Sequence, residues 1–386
     1  MSSTPYLVSD INQTTYSSNP RNFINVGGFL YFIADNDING TELWKVEQTT
    51  GVVSVIDINP GSGNSNPTNL TNVNGTLYFQ AYNPTNGYEL WKVDPTTGTP
   101  SVIDINPGSG NSNPTNLTNV NGTLYFQAYN PTNGYELWKI DPTTGTPSVI
   151  DIVFGSGNSS PTNLTNVNGV LYFTAESYNG TTPLGRELWK LDPITGSPVF
   201  LRDIQVGGSS SNPGNLTYSN GKLYFTADNG TQGIELWATD GTVAGTSLTQ
   251  DINQSSYGSN PRNFINIGSF LYFIADNDIN GTELWKVNQT TGVASIIDIN
   301  PGSNSSNPTN LTNVNGTLYF TANDGTNGTK LWKLGTDGTP TRLDFSSVSS
   351  TPNNLTNVDG TLYFTAFGKN GTDAYGGTKR ARMQIK

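Results

Sequence analysis

Short stretches in which apolar and polar residues alternate are cut at regular intervals by Gly, Pro, Asn and Asp, the pattern of half-buried strands joined by tight turns. One stretch shows the whole cycle. A strand over 69–73 ends at Asn74-Gly75, and a strand over 76–81 ends around Asn83-Pro84 and Asn86-Gly87. A third over 88–93 ends at Asp94-Pro95-Thr96-Thr97-Gly98, and a fourth over 101–105 leads into a loop of Pro, Gly, Ser and Asn. Asn and Gly accept positive φ and Pro cannot continue a ladder, so each break predicts an antiparallel reversal.

The cycle repeats. Leu-Tyr-Phe begins at Leu30, Leu77, Leu124, Leu171, Leu223, Leu271, Leu318 and Leu362, and a Leu-Trp pair follows the first seven copies, at Trp44, Trp91, Trp138, Trp189, Trp237, Trp285 and Trp332. Four strands in each of eight units predict an all-β, eight-bladed β-propeller of four-stranded antiparallel blades, with an open β-solenoid as the competitor. The fourth strand decides between them. Its Asp ending stands at Asp10, Asp57, Asp104, Asp151, Asp203, Asp251, Asp298 and Asp344, so one copy precedes the first unit and the last unit lacks one. A ring resolves this offset if the N-terminal strand becomes the outer strand of the final blade, which removes both open edges.

The expected single domain thus has a closing strand over 5–11 and blades over 12–58, 59–105, 106–152, 153–204, 205–252, 253–299 and 300–345, with a degenerate eighth over 346–386. In that last blade Gly377-Thr378-Lys379 aligns with Gly328-Thr329-Lys330, which sets Arg380-Ala381-Arg382-Met383 where Leu331-Trp332-Lys333-Leu334 stands. Residues 57–103 and 104–150 differ only at Val93 and Ile140. Near-identical neighbours favour a scaffold of repeated surfaces over one asymmetric catalytic pocket.

Composition narrows the chemistry. Of 386 residues 12% are charged, none is His and none is Cys, so His- or Cys-based nucleophilic machinery, thiolate or imidazole metal sites and disulfides are excluded. The net charge of −11 opposes binding to nucleic acid or to an anionic membrane surface. No apolar run has the length of a membrane-spanning helix, and residues 1–10 lack the basic start and apolar core of a secretory signal.

The segment Glu235-Leu236-Trp237-Ala238-Thr239-Asp240-Gly241-Thr242, with Ala244-Gly245-Thr246 and Asp251-Ile252 after it, resembles the repeat named for its Glu-Leu-Trp-x-x-Asp-Gly-Thr motif. The resemblance covers seven full units and one degenerate one. Most units have a five-residue turn ending in Thr-Gly in place of Asp-Gly-Thr, Asp-Pro-Thr-Thr-Gly in two of them, and Lys330 replaces the Glu. It implies an exported or cell-surface bacterial binding module and names no ligand.

Seven equivalent tryptophans are expected as packing between blades, where both sheet faces are covered, rather than as sugar-stacking platforms. The segment Asp35-Asn36-Asp37-Ile38-Asn39-Gly40-Thr41-Glu42 and its copy from Asp276 to Glu283 start like a calcium loop, with oxygen ligands at positions one, three and five and then Gly. If calcium binds, Asp35, Asp37, Asn39, the carbonyl of Thr41 and Glu42 are the expected ligands, with Asp276, Asp278, Asn280, Thr282 and Glu283 in the copy. A polar hairpin turn is the other reading of the same residues, and no other cofactor is expected. Arg21 and Arg262 stand where other units have Thr68, Thr115, Thr162 or Thr309, and are candidates for clamping a ligand carboxylate or for pairing with a nearby Asp.

The loops from the fourth strand to the next unit and from the second strand to the third share one face and are rich in Asn, Ser and Gly, groups suited to neutral polyols. The expectation is a non-enzymatic extracellular or surface adhesion module that binds a carbohydrate or a protein partner, as a monomer or as part of a larger assembly, without nucleic acid or membrane insertion. The alternatives are a structural spacer or assembly scaffold, and a polysaccharide hydrolase or lyase that works with carboxylates alone.

Overall fold

The computed structural model describes residues 7–335, 338–345, 352–367 and 380–385. Among these the chain is all-β and forms eight antiparallel sheets in sequence order, each a simple up-and-down meander. The second sheet sets the pattern: Thr68–Val73, Thr76–Asn83, Gly87–Val93 and Pro100–Ile103, each strand paired with the next. The others occupy 21–56, 115–150, 162–202, 214–250, 262–297, 309–343 and 353–385. The first seven have four strands and the eighth has three.

The chain divides into two compact units, Met1–Phe200 and Leu201–Lys386. Within the first, Leu77, Phe79, Ala81, Trp91 and Val93 of sheet 2 share one apolar core with Val26, Tyr31, Leu43 and Ile56 of sheet 1. The same residue set joins sheet 3 to sheet 2 and sheet 4 to sheet 3. In the second unit it joins sheet 7 to sheet 6, and joins sheet 6 to sheet 5 without the first-strand residue, which is Ser219; sheet 8, which has no Trp, sets Leu362, Phe364 and Ala366 against Val314 and Leu331 of sheet 7. Six of the seven tryptophans are buried in the core and Trp189 is half-buried against it: Trp91 is 7% exposed, and its indole Nε1 donates to the Ala81 carbonyl at 3.1 Å.

Every first strand carries a bulge. Thr68 pairs with Gln80 but Thr71 pairs with Tyr78, so strand one spends three residue steps against two. Asn69 takes up the excess in the left-handed region at φ 57°, a conformation that Asn tolerates better than other side chains except Gly. Asn22, Asn116, Asn163, Asn215, Asn263, Asn310 and Asn354 do the same. The Asn-x-Thr triplets are part of this device, because the Thr71 hydroxyl donates to the Asn69 carbonyl at 2.9 Å.

Two expectations for the chain ends change. Residues 5 and 6 of the expected closing strand 5–11 lie outside the described residues, and Leu7–Asp10 form no strand, with Leu7 79% exposed. The Asp-Ile marker is in fact a turn that follows the fourth strand, since those strands end at Ile56 and Ile103, before Asp57 and Asp104. Asp10-Ile11-Asn12 keeps this turn role: Asn12 is buried like Asn59 and Asn106, and Ile11 packs on Phe32, Ala34 and Trp44. In sheet 8 the register sets Met383 opposite Phe364, as Trp332 is opposite Phe320, two positions from the expected alignment.

Candidate functional site

The reversals between second and third strands build one end of every sheet. In sheet 2, Gly87 closes this turn at φ +74°, and a Cβ there would lie 2.5 Å from the Gly110 carbonyl oxygen, so the hairpin tip sits directly on the loop that enters the next sheet. The Asn111 carboxamide oxygen in that loop accepts the Tyr88 amide at 2.8 Å. Sheet 1 has the same contact, from the Thr41 amide to Asn64 at 2.8 Å.

The Glu that opens each Glu-Leu-Trp lies beneath this end and is fully buried: Glu42, Glu89, Glu136, Glu187, Glu235 and Glu283 are all 0% exposed. Glu42 accepts the Ile58 amide at 3.0 Å, the Ser65 amide at 2.9 Å and the Ser65 hydroxyl at 2.5 Å. Glu89 repeats these bonds with Ile105 and Ser112, and Glu136 with Ile152 and Ser159. Glu235 and Glu283 do so with Ser259 and Ser306. The carboxylate therefore fastens the turn after its own fourth strand to the loop entering the next sheet. Burial pushes Glu42 and Glu136 up to about 7, against the opposing pull of the Ser hydroxyl and the two amides.

This latch engages residues of the expected calcium segments. Asp35 faces Arg21 at 3.1 Å, Asn39 donates to Asp57 at 3.0 Å, and Glu42 points into the latch. The Thr41 carbonyl accepts the Ser65 and Asn66 amides. In the copy, Asp276 pairs with Arg262 at 3.0 Å, Asn280 donates to Asp298 at 3.1 Å, the Thr282 carbonyl accepts the Ser306 and Asn307 amides, and Glu283 is latched to Ser306. Four of the five residues of each segment are thus turned to different partners. Asp37 and Asp278 lie in the turns that precede Gly40 and Gly281. Among the described residues no three His, Cys, Asp or Glu side chains come together as a metal site.

Arg21 and Arg262 each bond the Asp of the second strand and a loop carbonyl, Asn19 or Asn260, so they brace the sheet end. The Ser of the latch was missed in the sequence. Its signal was a constant offset, with Ser65, Ser112, Ser159 and Ser306 each 23 positions after the latch Glu.

What changes from sheet to sheet is the pair just outside the latch. Sheets 1 and 6 have Asp35 opposite Thr41 and Asp276 opposite Thr282, each Asp held by its Arg. Sheets 2 and 3 have tyrosines, Tyr82 opposite Tyr88 and Tyr129 opposite Tyr135, with ring centroids 5.0 Å apart in both pairs. Sheet 4 has Glu176 opposite Arg186, 3.1 Å apart. The nearby loops expose Tyr16, Phe154 and, in the second unit, Tyr257. The same end thus carries ionic, aromatic and polar patches on one repeated frame.

No family model matches the chain, and no curated protein sequence matches it. Solved structures that resemble it include a prolyl endopeptidase, at 13% identity and TM-score 0.46 over 92% of this chain and 55% of that one. The β-propeller domain of the Trilobed protease from Pyrococcus furiosus gives 11% identity and TM-score 0.42 over 86% and 99%. Puromycin hydrolase gives 12% and 0.40 over 93% and 60%. The chain therefore spans little more than half the length of the first and third of these proteins.

Proposed function

We propose that the eight sheets are the blades of a β-propeller, and that the protein is a non-catalytic carbohydrate-binding module of the cell surface or exterior. Its binding face is the hairpin end of sheets 2 and 3. One observation carries this reading: where sheets 1 and 6 place a braced Asp, sheets 2 and 3 place half-buried Tyr pairs amid Asn and Ser side chains. A flat aromatic face ringed by amides and hydroxyls suits a neutral sugar, which offers CH groups to the ring and hydroxyls to the rim. The buried carboxylates support the non-catalytic reading, since Glu42, Glu89, Glu136 and Glu283 are each committed to a Ser hydroxyl and two amides. The resemblance to Glu-Leu-Trp-x-x-Asp-Gly-Thr repeats supports the exterior location.

A glycan array, run with added calcium and with a chelator, tests the reading. Binding is expected under both conditions, because Asp35 and Glu42 are engaged by Arg21 and Ser65. Changing both Tyr88 and Tyr135 to Ala should weaken it about tenfold or more, the scale of a lost ring contact. Binding that survives those changes, or an array that stays silent while a protein partner binds, would refute the carbohydrate site.

A further inference from the structure

Inside the second unit, the seam between sheets 5 and 6 departs from the other seams at four places. The residue that ends the first strand is Val or Ile in seven sheets and Ser219 in sheet 5, where it is 4% exposed. The Lys that follows Trp becomes Ala238. Elsewhere that Lys overhangs a turn of the next sheet: a Cβ on Gly98 would lie 2.7 Å from Lys45 Nζ, and one on Gly338 would lie 3.1 Å from Lys286 Nζ. At Gly292, the matching turn of sheet 6, the same space is open out to 4 Å among the described residues. Gln289 stands where sheets 2, 3 and 4 have Pro95, Pro142 and Pro193, and Ser269 replaces the Gly of the first turn. At Gly122 and Gly169 an added Cβ would lie 2.4 and 2.3 Å from the carboxamide nitrogens of Asn74 and Asn121 in the preceding sheet. The Cβ of Ser269 therefore keeps Asn220 from closing this seam in the same way.

Three of these residues, Ser219, Ser269 and Gln289, line one depression of about 530 Å³ with Tyr218, Asn220 and Asn266, a size that holds small ligands. It lies at the end of the two sheets where first strands turn into second strands, opposite the end built by the second-to-third reversals. None of its lining residues is charged. Gln289 is 5% exposed; its Nε2 donates to the Ser219 hydroxyl oxygen and to the Asn266 carboxamide oxygen, and Asn266 donates to the Tyr218 carbonyl at 2.9 Å. Among the described residues this network leaves Gln289 Oε1 as an acceptor and the Ser219 O–H as a donor, side by side. A hydroxyl buried in a seam that is otherwise apolar lowers stability. A position where one repeat breaks the rule kept by the others is where function displaces stability.

We propose that this depression is a binding site for a neutral sugar unit, separate from the face of Tyr88 and Tyr135 and independent of it. A sugar hydroxyl donates and accepts at one oxygen, so a single hydroxyl answers both the Ser219 donor and the Gln289 acceptor. Asn220 and Ser269 offer an amide and a hydroxyl to its neighbour on the sugar ring. The Tyr218 hydroxyl accepts the Gly221 amide at 3.1 Å, which fixes an aromatic ring at the lining for the CH face of the sugar. An anion meets no cation there, and a cation meets no carboxylate.

Saturation-transfer NMR of the full chain with methyl glucoside, methyl galactoside and methyl mannoside tests this. It is run in a Tyr88→Ala, Tyr135→Ala background, which removes the aromatic pairs proposed above. Saturable binding of at least one of the three should remain there, and Ser219→Val should weaken it about tenfold or more, the scale of one or two lost hydrogen bonds. Ala238→Lys, which restores the overhanging ammonium, should weaken it likewise with the fold intact. Ser219→Val with Gln289→Pro gives the seam the residues of sheets 2 and 3 and should melt no lower than the wild type. A sugar signal unchanged by Ser219→Val, no sugar signal in that background, or preferential binding of acetamide, the amide group a peptide would present, would overturn the proposal. So would a Ser219→Val, Gln289→Pro chain that melts well below the wild type, since the polar pair would then serve the seam.

Discussion

Replacing Ser159 by Ala removes one of the three donors to Glu136 and leaves the backbone in place. The hydroxyl lies 2.6 Å from the carboxylate, and both residues are fully buried, so water does not substitute for it. A hydrogen bond to an ionised group contributes about 1.5–3 kcal/mol, and one between neutral groups about 1 kcal/mol. Which figure applies depends on pH. Burial raises Glu136 from 4.5 to about 7 in the folded protein, so the unfolded chain releases this proton first as the pH rises. The folded state binds the extra proton between these values. Its stability is therefore greatest below 4.5, declines as the pH rises to 7, and is then level, with a total loss of order 3 kcal/mol for the one group.

In Ser159→Ala the carboxyl loses a contact that favours its charged form, so its pKa rises further and the decline extends to higher pH. Urea unfolding at pH 5 and pH 8 measures this. The variant should lose about 1 kcal/mol at pH 5 and about twice that or more at pH 8, by the figures for neutral and charged bonds. Glu136→Gln, which does not titrate, should remove most of the difference between the two pH values. Equal losses at both, or no loss at pH 8, would refute the latch as an ionic fastening. In a tandem array stability is close to a sum of unit and neighbour terms, so the damage should appear as earlier melting around sheets 3 and 4.

Two further outcomes test the frame. Trp91→Ala empties the interface between sheets 1 and 2 and strands the Ala81 carbonyl, and should cost about 3–5 kcal/mol in thermal or urea unfolding. Asn69→Gly keeps the left-handed bulge and should change stability by only a few tenths of a kcal/mol, whereas Asn69→Ala should cost about 1–2 kcal/mol. The same loss in both variants would show that the Asn side chain matters more than its backbone conformation.

The strands and their core were readable because the signals are local. Alternation places Leu77 and Phe79 on the same face, opposite Val93 and Trp91 of the next strand, and Asn-Gly or Asp-Pro marks reversals within a few residues. The latch was not readable in this way. The neighbours of Glu42 in sequence, Asp35, Asp37 and Asn39, spell an ion-binding loop, but its partner Ser65 lies 23 positions on, in a loop that is adjacent only after folding. Similarly, Asp10-Ile11 looked like the end of a strand because it recurs after every fourth strand. What recurs is the turn, whose Ile amide donates to the latch Glu, as Ile58 does to Glu42.

The division between fixed and variable positions within the repeat is the basis of the proposed binding face. In the sheets that carry them, the buried Glu, the Ser and the Trp hold neighbouring sheets together. The residues opposite one another just outside them, Asp35 and Thr41 in one sheet and Tyr82 and Tyr88 in the next, are only half-buried, and changing them leaves the latch intact. Tyrosine there adds no bond that the frame needs, because Glu89, Ile105 and Ser112 already complete it. Under the carbohydrate reading proposed above, the two adjacent sheets that carry this aromatic pair are where a ligand, rather than the fold, would account for the residues present.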